Sequence, residues 1–554
     1  MTNDTAILSV DLEAYFQAEP MSRLIPPRFW PRFDLRMEES AGRALDLLDR
    51  AGTKATFFAS GWLAETCPEI VAEVVRRGHD VGVRGHLPLS VATDQLAAFR
   101  DDLLHSREAI EQASGRVARG YRHGGGALPG DGRAHLEVLA RAGFDFDSSQ
   151  RPFGPAYVGQ AEARRIHRVN GAGWSITEVP LSSSTLLGIP YPVAGGVSMR
   201  LMPRSLFETG LASLTRAGGY RHLHFHVWEL DPEQPRVSAV GGRRRARQYK
   251  NLEDMTERLE AVLGTARFGS IEERLGLPAT AAAPAAAKAA DVAPAIATDD
   301  VRNVTIVVPC YNEEETLPYL AGNLASLEAS TAGTYRFSYV FVDDGSKDTT
   351  YAVLQRLFGE KPNCQVLKHP QNRGIAAATM TGIQAARDEI VCGIDCDCSF
   401  DPHDLVKMIP LLKPGIDMVQ ASPYHKDGGV MNVPAWRLLL SRGCCEIYRR
   451  ILNHKFSSYT ACFRVYRRAA ISKVTVEDGG FLGIMEMFVK LDQGGSKIVE
   501  FPAVLATRLL GVSKMKTLRV IRSHLRLMAR TAMRPSKGTT PPTGGTAGQT
   551  VSAR

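Results

Sequence analysis

NVTIVVPCYNEEE, residues 303–315, opens with β-branched apolar residues and closes on a proline, a tyrosine and three carboxylates. A short apolar run bounded by turn-forming residues predicts a strand buried on both faces. The pattern recurs downstream in SYVFVDDGSKDTT (338–350), CQVLKH (364–369) and EIVCGIDCDCSFDP (389–402). Helical stretches follow from about Glu314, Thr349 and Ile375. Four β-α steps in succession predict a parallel sheet with right-handed crossovers. Ligands of such sheets sit at the carboxyl ends of the strands, which is where the acidic residues fall.

Pro309, Tyr311 and Glu313 close the first strand and could cup a base and ribose. Asp343 and Asp344 occupy the turn after the second, and Asp395 and Asp397 form a D-x-D pair after the fourth. Each group alone reads equally well as turn chemistry and helix capping. Together, three acidic strand ends suit a hard divalent cation that bridges a diphosphate and acts as a Lewis acid on the leaving nucleotide.

The 554 residues exceed one ordinary core, so two or more domains are expected. A hydrophobic fraction of 44% and a charged fraction of 23% describe a soluble globular chain. The net charge of +8 is concentrated in RRRAR (243–247) and between Lys514 and Arg534. No nucleic-acid motif accompanies it, so phosphate-rich small substrates and anionic lipid are the expected partners. Nine cysteines, eight of them after residue 300, make neither a disulfide framework nor a zinc spacing and fit a reducing compartment. No signal peptide or transmembrane run is evident. The stretch 276–300 is Ala/Pro-rich and reads as a linker between a domain over 1–275 and one over 301–534. The tail 535–554 reads as disordered. Within 516–534, Leu518, Ile521, Leu525, Met528 and Ala532 form an apolar helical stripe interleaved with arginines. It suits either an interfacial helix on anionic lipid or a helix docked on the core.

Residues 301 to about 520 resemble the family 2 glycosyltransferases of GT-A fold, a Rossmann-like parallel-sheet domain. Within them they resemble the dolichol- or polyprenyl-phosphate mannose synthase branch. The segments carrying this are VVPCYNEEE, VDDGSKDTT, NRGIAAATMTGI, GIDCDCSFDP, YTACFRVYRR, GFLGIMEM and VEFPAVLATRLLGVSKM, the last with E-x-P followed by R-x-x-G-x-S-K. The resemblance implies that Pro309, Tyr311, Glu313, Val342, Asp344, Ile394 and Cys396 line a nucleotide-sugar site. It implies that Asp395 and Asp397 hold Mg²⁺ or Mn²⁺. Arg464, Arg508 and Lys514 would bind the acceptor phosphate, and Arg508 and Lys514 also the donor. Two departures leave the sugar and acceptor open: Pro423 replaces an arginine, and Thr460-Ala461-Cys462-Phe463-Arg464 replaces T-S-G-F-R. A phosphate acceptor is already anionic and needs cationic positioning more than a base. A hydroxyl acceptor would need a carboxylate base, for which Asp478 and Glu486 are available. Glu486 reads equally well as a structural helix residue.

The block from residue 5 to about 270 resembles the NodB-homology polysaccharide deacetylases, a distorted β/α barrel. The carrying segments are LSVDLEAYFQ, KATFFASGWLAE, GHDVGVRGH, GYRHGG, GFDFDSS and HFHVWELDPEQPR. The resemblance makes Asp11 the base, Arg122 its orienting arginine and His226 the acid, with Asp147 in a matching D-S-S. That family holds zinc or a similar ion with an acidic residue and two histidines. Here Arg84 and Pro88 stand in the histidine places and His86 falls between them, out of register. Asp11-Leu12-Glu13-Ala14 lacks one acidic position, although Glu13 could serve. Arginine stays protonated and cannot ligate, so zinc and deacetylation are expected to be lost.

The leading expectation is a metal-dependent inverting transferase at the inner face of the cytoplasmic membrane, with a membrane-embedded partner conceivable. It would move a sugar from GDP-mannose or a UDP-sugar to a polyprenyl phosphate beside an inactive deacetylase-like domain. A bifunctional transferase and deacetylase, and a non-catalytic envelope-polysaccharide scaffold, are the alternatives.

Overall fold

The computed structural model describes residues 6–22, 24–87, 95–124, 132–160, 162–216, 220–278, 301–431, 433, 435–506, 508, 510 and 524–531. The chain divides into two compact units. One comprises Met1–Arg236 and Val240–Val292, the other Val237–Ala239 and Ala293–Arg554.

The first unit contains β1 (Ala6–Leu12), β2 (Thr56–Ala59), β3 (Asp80–Val83), β4 (Gly120–Tyr121), β5 (Phe146–Asp147), β6 (His167–Gly171), β7 (Trp174–Glu178), β8 (Ser183–Leu186), β9 (Ile189–Pro192), β10 (His222–His226) and β11 (Phe268–Gly269). Nine of these form one sheet in the order β10-β1-β2-β3-β4-β5-β7-β6, with β11 also on β1. Strands β8 and β9 form a separate hairpin. All pairings in the large sheet are parallel except β6 with β7. Helices between the strands, such as Met37–Arg50 and Pro68–Arg76, make this the expected α/β alternation. The barrel is open: among the described residues β10 and β6 are the two edges of the sheet. The antiparallel β6–β7 hairpin ends the parallel run on one side.

The second unit contains β12 (Arg302–Cys310), β13 (Tyr335–Asp343), β14 (Cys364–Lys368), β15 (Ile390–Gly393), β16 (Met418–Ser422), β17 (Gly429–Met431), β18 (Arg464–Arg467), β19 (Ile498–Pro502) and β20 (Val504–Ala506). Its seven-stranded sheet runs β14-β13-β12-β15-β18-β16-β19, and only β18 is antiparallel to its neighbours. The period of two is visible in the packing. Val304, Ile306 and Val308 enter one core with Phe337, Tyr339 and Phe341, whereas Val307, Val340 and Val342 enter the core on the other face. Each such side chain contributes roughly 1.5–3 kcal/mol by burial, so a register slip is strongly disfavoured. Helices Leu317–Ser330, Thr350–Phe358 and Ile375–Ala385 provide the crossovers. The chain passes from β12 to β13 and β14 on one side, then returns to β15 on the other. This reversal beside β12 opens a crevice at the strand ends.

Of the expected amphipathic segment, 524–531 lies within the described residues and is helical. Met528 is buried in the core, and the His524 ring nitrogen lies 2.9 Å from the Tyr448 hydroxyl. Leu525, on the expected apolar stripe, is exposed together with Arg526 and Arg530.

Candidate functional site

In the second unit, Glu313, Asp343–Asp344 and Asp395–Asp397 end β12, β13 and β15 at the crevice. Asp344 is buried and committed to the loop 369–374. It accepts from Asn372 Nδ2 (2.9 Å) and from the N–H groups of Arg373 (2.9 Å) and Gly374 (2.7 Å), and its Oδ1 lies 2.7 Å from His369 Nδ1. Asn312 ties the neighbouring turns together: its N–H donates to Ser346 Oγ (2.8 Å) and its side-chain oxygen accepts from Lys347 N–H (2.7 Å). Asp397 Oδ1 accepts from Ser399 N–H (2.9 Å). Arg508 spans the crevice, its Nε donating to Asp397 Oδ2 (2.7 Å) and its Nη1 to both Glu313 oxygens (2.9 and 3.2 Å). Burial, reinforced by the charge of Asp397, pushes the Asp395 carboxyl up to about 7. Among the described residues, three carboxylates thus face the Arg508 guanidinium. An all-oxygen donor set of this kind fits Mg²⁺ or Mn²⁺.

In the first unit, Asp11 ends β1, Arg84 follows β3, Arg122 follows β4 and His226 ends β10. Arg84 pairs with Asp11 through Nη1 and donates to Glu13 Oε2 through Nη2 (2.8 Å). Arg122 donates to Asp11 Oδ1 (3.0 Å) and to the hydroxyls of Ser9 and Ser148 (both 2.8 Å). His226 Nδ1 lies 2.7 Å from Glu13 Oε1, which also accepts from Trp228 Nε1 (3.2 Å). Burial pushes the Asp11 carboxyl up, but Arg84, Arg122 and the nearby histidines overcome it and hold it well below the usual range. Burial likewise opposes charge on His226, and Glu13 reverses this to raise its pKa. Asp11, His224 and His226 do present donor atoms within 4.8 Å of one another. Two guanidiniums nevertheless already match the two carboxylates, and a divalent ion would add positive charge to a balanced site. The residues present do not fit zinc.

The model for glycosyl transferase family 2 matches residues 305–475, the span holding the acidic strand ends. The second unit is a family 2 glycosyltransferase domain. Over 215 residues the chain is 29% identical to a dolichol-phosphate mannosyltransferase of Pyrococcus furiosus, covering 38% of this chain and 59% of the relative. Over 217 residues it is 29% identical to a polyprenol monophosphomannose synthase of Mycolicibacterium smegmatis, covering 38% of this chain and 80% of the relative. A glucosyl-3-phosphoglycerate synthase structure from Mycobacterium tuberculosis aligns with TM-score 0.33 and 20% identity, over 43% of this chain and 82% of that one. In the first unit, the polysaccharide deacetylase model matches residues 27–146, and a domain of unknown function, DUF3473, matches 148–276. The first unit is a polysaccharide deacetylase-like domain.

Within the glycosyltransferase domain, the structure brings Glu313, Asp395, Asp397 and Arg508 together. Pro309 and Tyr311 lie on the same strand end, half-buried. Val342, Ile394 and Cys396 are buried core residues. Arg464 requires correction. It is fully buried, and its guanidinium donates to Gln420 Oε1 (2.6 Å), Ile484 O (2.8 Å) and Tyr459 O (2.9 Å), so it pins β18 and cannot meet an acceptor phosphate. Glu486 takes the structural of its two readings. It accepts from the N–H groups of Glu477 (2.9 Å) and Asp478 (3.1 Å) and pairs with Lys490 (2.7 Å). Lys514 and Pro88 lie outside the described residues. Asp343, read from the sequence as a turn residue beside Asp344, has its Oδ2 buried with no hydrogen-bond partner among the described residues. Two residues were not singled out from sequence. Trp228 and His224 sit in HFHVWE, where alternation along β10 carries both His224 and His226 toward Asp11.

Proposed function

We propose that the glycosyltransferase domain moves a hexose from a nucleotide sugar to a polyprenyl phosphate with inversion, using Mg²⁺ or Mn²⁺. The observation carrying this is the crevice in which Glu313, Asp395 and Asp397 face the guanidinium of Arg508. Asp395 and Asp397 would hold the ion, whose contribution is to neutralise the diphosphate leaving group. Asp344, through its loop, and Asn312 fix the walls that receive the nucleoside. Arg508 supplies planar, permanently charged donors suited to phosphate. An acceptor phosphate oxygen forms the new bond to the anomeric carbon as the bond to the nucleoside diphosphate breaks, and the diphosphate departs with the electron pair. No carboxylate base is needed, in keeping with the full commitment of Glu486 to its own loop.

The lipid acceptor is supported by the likeness to a dolichol-phosphate mannosyltransferase and a polyprenol monophosphomannose synthase and by an exposed surface. The helix Ala435–Ile451 exposes Leu439 (75% accessible), Leu440 and Ile447 beside Arg442, Arg449 and Arg450. An apolar and basic surface of this kind suits the headgroup boundary of an anionic membrane. Among the described residues no helix is long and apolar enough to cross a membrane, so attachment would be peripheral. On this reading the work would take place at the cytoplasmic face, where the nucleotide-sugar donor would be met. The deacetylase-like domain would be a glycan-binding or vestigial scaffold. The test is incubation of the full chain with undecaprenyl phosphate, Mn²⁺ and a panel of nucleotide sugars. A lipid-linked product released by mild acid is expected; transfer to a free sugar hydroxyl would overturn the reading.

A further inference from the structure

Away from Asp11, the deacetylase-like domain assembles a second cluster. Glu65 lies on the helix Gly61–Thr66, His105 on the helix Leu96–Ser114, and His86 in the segment leaving β3. The two imidazoles stack with centroids 4.3 Å apart and an interplanar angle of 18°. His105 Nε2 lies 2.8 Å from one Glu65 oxygen, and His86 Nε2 lies 3.8 Å from the other. One donor atom from each residue falls within 4.8 Å of the other two.

This convergence is built by the surrounding backbone. A Cβ on Gly61 would stand 2.6 Å from Ser106 Cα and 2.7 Å from His86 Nδ1. Only glycine allows the two helices and the ring to close up there, and that approach sets Glu65, one turn on, opposite His105. Gly85 has φ +82, and the turn it makes delivers the next two N–H groups to Asp102, His86 at 2.8 Å and Leu87 at 3.2 Å. Asp102 lies three residues before His105, so the helix that carries one imidazole also clamps the backbone of the other. Nδ1 of His86 is buried against Gly61 with no partner among the described residues, which leaves Nε2 as the polar outlet of the ring, toward Glu65. Burial lowers the His86 pKa, which disfavours the charged form of the ring.

We infer that Glu65, His86 and His105 form a binding site for a zinc-class divalent ion, separate from the centre that Arg84 has filled. Two imidazoles and one carboxylate are the mixed nitrogen–oxygen donors preferred by Zn²⁺ and by Co²⁺ or Ni²⁺. Tetrahedral ligands at the usual bond lengths lie ~3.3 Å apart. Glu65 and His105, 45% and 56% exposed, can turn to close the remaining distance. Three protein ligands leave a fourth position for water. The ion would take the place of the direct His105–Glu65 contact and tie the β3 segment to both helices.

The test is equilibrium dialysis of the full chain, stripped with chelator, against Zn²⁺ alone, with Co²⁺ absorption as a second readout. One ion per chain is expected, with a tetrahedral Co²⁺ spectrum. His105→Ala and Glu65→Gln, both at exposed positions, should weaken binding at least tenfold, while Asp11→Asn should leave it unchanged. Failure of the wild-type chain to bind more ion than His105→Ala would overturn the inference. So would binding that survives His105→Ala but disappears in Asp11→Asn.

Discussion

An arginine bridges two carboxylates in each half of this chain, yet the two bridges are built for different fates. Arg84 is 6% exposed between Asp11 and Glu13, which are 0% and 8% exposed, and Arg122 supports it from the other side. Arg508 is 21% exposed between Glu313 and Asp397, which are 8% and 11% exposed, with Asp395 beside them. The first site is neutralised from within and closed. Among the described residues, the second sets three carboxylates against the Arg508 guanidinium, an arrangement that a diphosphate–metal site would use. On the proposed reading, charge balance, more than the presence of carboxylates, would separate a filled centre from one that loads a metal.

The largest effect should come from the second site. Asp397→Asn is expected to reduce glycosyl transfer about a thousandfold, since metal stabilisation of a leaving group supplies several kcal/mol, while thermal unfolding stays close to wild type. Unimpaired turnover in that variant would remove the metal from the account. Arg84→Met tests the first site by stability. Leaving Asp11 and Glu13 buried without their shared cation should cost about 3–5 kcal/mol, read by denaturant unfolding. Arg508→Met should cost less, and added Mn²⁺ should restore what is lost, whereas Mn²⁺ should not rescue Arg84→Met. Equal rescue of both variants would erase the distinction between the sites.

Arg464→Met sharpens the assignment within the glycosyltransferase domain. Its removal strands the carbonyls of Ile484 and Tyr459 and the Gln420 side chain. A loss of about 2–4 kcal/mol is expected, because each buried orphan costs roughly 1–3 kcal/mol. An unchanged stability with a raised KM for the acceptor would return Arg464 to phosphate binding.

The four strands β12 to β15 were legible as short apolar runs bounded by turn residues, and β12, β13 and β15 lead into carboxylates that mark their functional ends. The resemblance placed Arg84 and Pro88 where histidine ligands were expected, and Pro88 lies outside the described residues. Spacing did not reveal that Arg84 would reach both Asp11 and Glu13, because that depends on β1 and β3 being brought together across β2. Arg464 was misread for a related reason: a motif gives a position along the chain but not the direction a strand side chain takes, and on β18 this one points at Gln420. His86 looked like a displaced ligand of the old centre. The Gly85 turn sends it to Glu65 and His105 instead.

A smaller effect lies in the pH dependence of the first unit. Asp11 and Glu13 have lowered pKa values. The stability they supply is full above the unfolded carboxylate range near about 4 and is lost as pH falls below it. Glu272 has the opposite sign. Burial, aided by Asp80, pushes its pKa up to about 8, so its contribution is full below about 4 and declines as pH rises through 8. Glu272→Gln should therefore raise the Tm at pH 9 by a few degrees and leave it nearly unchanged at pH 4. An equal shift at both values would assign the effect to packing instead of protonation.

The most direct test of the central claim counts Mn²⁺ by electron paramagnetic resonance with GDP or UDP present, in a His105→Ala background so that the Glu65 cluster does not contribute. The account predicts one bound ion that is lost in Asp397→Asn and retained in Asp11→Asn. An ion that survives Asp397→Asn and is lost with Asp11 would contradict it.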